Sequence, residues 1–222
     1  MGILKNTLYI NLQHRTDRLQ HVEKELEKLG IKGERINAIK TSSGAVGCTL
    51  SHIKCLELAK ERNYEEVFIC EDDITFTNPK LFLENLQKFC DNDDIMWDVL
   101  IIGGNNVPPY KQYYDYCARV FNCQTTTGYI VKQDFYDIMI KNFKEGVFKL
   151  MKNPENKREY AIDIYWKKLQ MENFWYMITP PTVTQYTNYS DIEQRETNYD
   201  NLLLDMNKAW MFNFNEVISK KK

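Results

Sequence analysis

The chain has 222 residues, 43% of them hydrophobic, and sets Lys+Arg 29 against Asp+Glu 31 for a formal net charge of −2. That size and apolar content fit one soluble domain, 1–222, with a sizeable core, and the charge balance leaves no basic excess to track a nucleic-acid backbone. The opening MGILKNTLYINLQHR breaks its short apolar runs with Lys5 and Asn6, so it matches neither a secretory leader nor a membrane span, and a cytoplasmic protein is expected.

In chain order, TLYINL reads as a strand, after which Leu19, Val22, Leu26 and Leu29 recur at helical spacing, with Thr16 placed to cap the start and Gly30 the end. GERINAI is a short second strand. GAVGCTLSHIKCLELAKERN reads as a loop running into a helix with Leu50, Ile53 and Leu56 inward, and EVFICED as the next strand. Asn78 and Pro79 form a cap and first-turn pair for a helix to about Phe89, and WDVLIIGG is a buried strand closed by two glycines. The Pro- and Tyr-rich stretch 105–117 reads as an ordered excursion, in which Tyr110, Tyr113, Tyr114 and Tyr116 either stack on an acceptor or pack on one another.

Strands near ARVFNC and GYIV and a helix from Asp134 to Phe143 follow. A polar KNPENKRE then leads to one helix over AIDIYWKKLQ and a strand, FWYMIT, stopped by Pro180 and Pro181. The amphipathic LLLDMNKAWMFNF, with 206–222 as a C-terminal helix or tail, is expected to pack on its own domain, with a dimer contact left open. His14 and His21 read as surface residues, and the six cysteines, with no CxxC pair, as free thiols. Strands alternating with helices imply an α/β sheet with helices on both faces, and in such sheets ligands bind at the carboxyl ends of strands.

VFICEDDITF puts Glu71, Asp72 and Asp73 at such an end. Glu71 and Asp73 share a strand face, and a hard divalent ion, Mg²⁺ or Mn²⁺, held by carboxylates and substrate phosphates would offset their repulsion. Solvated loop acids are the ordinary alternative. The spacing of EDDIT also fits haloacid-dehalogenase-type phosphatases, except that Glu71 stands where the attacking aspartate is required. Cys48 and His52, four apart, suit a nucleophile and base pair by spacing, but show no third group to orient them.

Taken together and in this order, YINLQHRTDR, GCTLSH, ICEDD and WDVLIIGG resemble glycosyltransferase family 25, the family of lipopolysaccharide galactosyltransferases and collagen hydroxylysine galactosyltransferases. TTTGYIV, AIDIYW and TQYTNYSDIEQR extend the resemblance more weakly. It implies a GT-A type nucleotide-binding fold, a UDP-sugar donor bound mainly by 1–104, an acceptor side over 105–205, and inversion at the anomeric carbon. The acceptor is a hydroxyl of a glycan or of a collagen-like chain.

By that resemblance Asp73 and Glu71 are the expected ligands of the divalent metal, and Asp72 a contact of the donor. Asn11, Leu12, Arg15, Arg18, Gly47, Ser51, His52, Gln185 and Asp191 are the further candidates for donor binding. Asp163 is the candidate general base. A catalytically silent sugar or nucleotide binder is the competing class.

Overall fold

The computed structural model describes residues 2–190 and 195–211. The N-terminal half alternates strand and helix: β1 (Thr7–Asn11), α1 (Thr16–Glu27), β2 (Glu34–Asn37), α2 (Gly44–Glu61), β3 (Glu66–Glu71), a short β4 (Ile74–Phe76), α3 (Pro79–Cys90) and β5 (Val99–Asn106). An edge hairpin of β6 (Tyr110–Tyr114) and β7 (Cys117–Val120) then leads to the long β8 (Cys123–Lys132) and to α4 (Tyr136–Lys152). Three short helices follow, α5 (Lys157–Tyr160), α6 (Ile162–Tyr165) and α7 (Lys167–Glu172). The chain then forms β9 (Trp175–Ile178), β10 (Val183–Gln185), β11 (Asn188–Ser190), β12 (Arg195–Thr197) and α8 (Asp200–Leu203).

Eight strands form one mixed sheet in the order β2-β1-β3-β8-β5-β9-β7-β6. β1 is parallel to both β2 and β3, and β5 to β9, while β8 runs antiparallel to both its neighbours, β3 and β5. Strand side chains alternate between faces, and both faces are apolar. Leu8, Ile10, Val67, Ile69, Val99 and Ile101 pack with α2 and α4 on one side; Tyr9, Phe68, Leu100 and Ile102 pack with Val22 and Leu26 of α1 and with Phe82 and Phe89 of α3 on the other. Helices on both faces explain why the central strands read as unbroken apolar runs rather than as alternating ones.

Local chemistry sets most boundaries. The Asn78 side chain accepts the Leu81 N–H and Pro79 opens α3, as expected. Gly30 ends the turn after α1 with φ +66, the left-handed region that suits glycine. Thr16 differs from expectation: it is the first helical residue, Arg15 stands at the cap, and no side chain caps this end.

Other departures come from tertiary packing. α2 begins at Gly44, ahead of GCTLSH. α4 runs on past Phe143 because Gly146 lets the helix lie against the Tyr165 ring, where a Cβ would sit 2.9 Å from it. AIDIYWKKLQ is two helices broken at Trp166, whose fully buried indole donates to the Cys123 carbonyl at 2.9 Å. The stretch 105–117 holds regular structure: β5 extends to Asn106 and β6 pairs with β7 as the outermost strand. There Tyr113 packs edge-on against Tyr176 and Tyr114 stacks on Tyr116, and none of the four tyrosines lines the cavity described below.

All six cysteines are free. His21 is not a surface residue: its Nε2 lies 3.0 Å from the Ile74 carbonyl oxygen and its ring stacks on Tyr186. The C-terminal amphipathic stretch is helical only in short pieces as far as residue 211, with Lys208 buried and its Nζ donating to the Leu202 and Asp205 carbonyls. The rest of the expected tail, 212–222, lies outside the described residues. Among the described residues no helix is long and apolar enough to cross a membrane.

Candidate active site

β1 and β3 lie side by side in parallel, Ile10 opposite Glu71, so both carboxyl ends reach one rim of the sheet. β8 arrives from the other direction, Gly128 opposite Cys70, which brings residues 125–127 to that rim as well. The three acids therefore sit where two strands end and a third begins. Each has its own surroundings.

Glu71 Oε1 accepts from the Thr126 hydroxyl, from His52 Nε2 at 3.3 Å and weakly from the Cys48 thiol at 3.8 Å. His52 Nδ1 lies 2.8 Å from the Tyr129 hydroxyl, which fixes the ring between the two. Burial pushes the Glu71 carboxyl up, but the His52 and Thr126 bonds outweigh it and hold the group below the usual carboxylate range. Asp72 accepts from Asn11 Nδ2 at 2.7 Å and from Arg18 Nη1 at 3.0 Å.

The same Arg18 nitrogen donates to Asp73 Oδ2 at 3.1 Å. Asp73 Oδ1, however, is buried with no partner. Burial first, and the adjacent Glu71 charge second, push this carboxyl up to about 8. The protein thus compensates two of the three acids fully and leaves half of the third unsatisfied, which is costly for a buried polar atom.

Asp163, in α6, is held from β8: its Oδ2 accepts the Thr125 N–H at 3.0 Å. Thr125 has φ 77, a strained conformation for a β-branched residue. Burial raises the Asp163 pKa and the Thr125 bond opposes that rise. The Cys48 thiol is pushed well above its ordinary value, chiefly by burial and then by the charges of Glu71 and Asp163. A thiol so held stays protonated and is a poor nucleophile.

These groups face one cavity of about 1030 Å³, lined by every predicted site residue except Asn11 and Asp191. Asp191 lies outside the described residues. Asn11 is used internally, its amide nitrogen bonded to the Arg15 carbonyl and Asp72 and its oxygen accepting from Arg35 Nε at 3.0 Å. Ser51 ties α2 to the preceding loop, donating to the Gly47 carbonyl and accepting the Ile39 N–H. Arg15 bonds Asp17 at 2.9 Å and the Tyr189 carbonyl at 3.2 Å. Gln185 reaches the rim because β10 pairs with β4, Gln185 opposite Ile74.

Sequence reasoning missed Thr126 and Tyr129 as partners of Glu71 and His52; the quoted TTTGYIV contained both, but only the antiparallel placement of β8 makes them neighbours. It also passed over Lys40, Lys157 and Arg158, which line the same cavity.

Gly47 stands where the loop before α2 folds back. A Cβ there would collide with the Ile39 carbonyl oxygen, a backbone atom that cannot swing away. Alanine in a helix ordinarily gains about 1 kcal/mol over glycine, but overpacking of this kind costs about 1–3 kcal/mol. Gly47→Ala is therefore expected to lower the melting temperature by several degrees, read by calorimetry; an unchanged or raised value would show that the loop gives way freely.

The mixed sheet and its rim are the architecture of GT-A glycosyltransferases. A solved glycosyltransferase involved in the glycosylation of the major capsid of PBCV-1 superposes with TM-score 0.51 at 12% identity, covering 78% of this chain and 79% of that one. The glycosyltransferase GlyE of Streptococcus pneumoniae TIGR4 superposes with TM-score 0.51 at 9% identity, covering 98% and 64%. At these identities the similarity shows the fold.

The family model described as Glycosyltransferase family 25 (LPS biosynthesis protein) matches residues 40–149, a span that includes α2, the EDD turn and β8, and the chain belongs to this family. It therefore works with a sugar donor and an acceptor. Over 72 residues, 32% of this chain, it is 33% identical to the human protein named Inactive glycosyltransferase 25 family member 3. That match covers 12% of the human protein, so this chain corresponds to a small part of that relative's length.

Proposed function

We propose that the protein is a metal-dependent, inverting hexosyltransferase that moves galactose or glucose from a UDP-sugar to a hydroxyl of a glycan or of hydroxylysine in a collagen-like chain. The observation that carries this reading is the buried, unpartnered oxygen of Asp73 facing the same cavity as a second held carboxylate, Asp163.

Two donor sets compete for a metal. Cys48, His52 and Glu71 have ligand atoms within 4.8 Å of one another, but their thiol is strongly protonated and Glu71 Oε1 already accepts three bonds. Asp73 offers a free hard oxygen, the donor that Mn²⁺ and Mg²⁺ prefer, and so fits the ion better, with Glu71 and Asp72 beside it. A divalent ion bound there would stabilise the negative charge gathering on the departing diphosphate.

The chain's own residues supply the rest. Arg18 bridges Asp72 and Asp73 and places its guanidinium at the phosphate end of the cavity, where Arg15 adds a second charge. Leu12, Gly47 and His52 shape the wall against the donor. Asp163 takes the proton of the attacking hydroxyl, and its raised pKa suits a base working near neutral pH. In this reading residues up to about 104 chiefly hold the donor, and those from about 105 to 205 the acceptor.

One observation favours a second reading, a catalytically silent nucleotide-sugar binder: the human relative is named as inactive. UDP release from a panel of UDP-sugars, with and without Mn²⁺, separates the two. Metal-dependent release preferring UDP-galactose or UDP-glucose is expected. A folded protein that releases UDP from no donor, with or without sugar acceptors, would favour the silent binder.

A further inference from the structure

The charges lining the cavity are segregated. Glu71, Asp72, Asp73 and Asp163 form its floor, with Arg15 and Arg18 beside the EDD turn. At its rim stand three other cations, Lys40, Lys157 and Arg158, all exposed. Among the described residues none of their side chains has an ion-pair or hydrogen-bond partner. The acids of the same segment, Glu155 and Glu159, do not line the cavity, so α5 turns its cations inward and its acids away.

The N-terminus of α2 opens onto the same space through Ser42, Ser43, Gly44 and Ala45. Ser43 makes no side-chain capping bond and the first turn holds no acid, so its amide N–H groups add positive potential to that of the three cations.

We propose that this rim is a subsite for a phosphate group carried by the acceptor. The inference rests on the transfer reading above, with Asp163 as base. Lys157 and Arg158 lie in α5, immediately before the short helix that holds Asp163, and so flank the attacking hydroxyl. The donor's diphosphate has its own cations, Arg15 and Arg18, at the EDD turn. A phosphate monoester carries about −1.5 to −2 charges and three acceptor oxygens, enough to engage Lys157, Arg158 and Lys40 together; a carboxylate, with one charge and two oxygens, uses fewer of them.

The test is calorimetric titration of the full chain, preloaded with UDP and Mn²⁺, with glucose 6-phosphate, glucuronate and glucose. Glucose 6-phosphate is expected to bind about 10-fold tighter than glucose, as charge-assisted bonds to several cations imply, with glucuronate between them. Lys157→Glu/Arg158→Glu should erase the preference while leaving its melting temperature and its affinity for UDP unchanged, and Lys40→Glu should reduce the preference in part. Equal binding of glucose 6-phosphate and glucose by wild type would overturn the subsite. So would a double variant that loses UDP affinity instead, since the cations would then serve the donor. These titrations need no turnover. Failure of wild type to release UDP from any donor would count against the transfer reading, and is thereby told apart from failure of the subsite.

Discussion

Asp73→Asn is expected to abolish metal-dependent transfer and, at the same time, to make the metal-free protein more stable at pH 8. The loss of activity follows from exchanging a hard anionic oxygen for a neutral amide at the position best suited to the metal. The gain in stability follows from linkage. The carboxyl's folded pKa, about 8, lies above its ordinary 3.8, so the folded state holds its proton more tightly than the unfolded chain does. Stability is then fullest below about pH 4 and drains away as pH rises through about 8.

Asparagine has no charge to lose. The gap between variant and wild type should therefore be wider at pH 8 than at pH 6, on the order of a few kcal/mol, or roughly 5 °C in melting temperature. Mn²⁺ with UDP should reverse the order by stabilising wild type alone. A variant that turns over normally, or one less stable than wild type at pH 8 without metal, would refute the placement of Asp73.

Asp163→Asn is expected to cut transfer to the acceptor by at least ~100-fold, the low end for a positioned general base, with little change in donor affinity. Asparagine keeps an oxygen for the Thr125 N–H, so the strained Thr125 backbone should stay in place and the loss should lie in kcat. The wild-type rate should fall on the acid side as Asp163 protonates, with its midpoint above the usual aspartate range because burial raises that pKa. A loss below ~100-fold, or a rise in donor KM without a fall in kcat, would withdraw Asp163 from the role.

Much of this was legible in the residues. Asn78 followed by Pro79 marked α3, apolar runs marked β3 and β5, and an acidic triplet leaving a buried strand pointed to the rim where a ligand would lie. Contacts distant in sequence were not legible. Nothing local in TTTGYIV says that β8 inserts antiparallel between β3 and β5, and so nothing local joins Thr126 to Glu71 across 55 residues. Trp166 breaks AIDIYWKKLQ because its indole must reach the Cys123 carbonyl, a demand invisible to helical periodicity. The 105–117 stretch misled because its prolines and tyrosines are those of a loop, whereas an edge strand tolerates them by leaving one side unpaired.

The position of β8 also bears on how the chain is made. A ribosome delivers β1, β3 and β5 before residue 123 exists, yet β8 is the strand that joins β3 to β5. Until then the nascent chain holds two sheet fragments with facing edges vacant, and Glu71 lacks the Thr126 bond that helps keep it ionised. Synthesis of the central strand completes the core and the acidic site in one event, so the order of translation keeps a half-made protein from offering a half-made site.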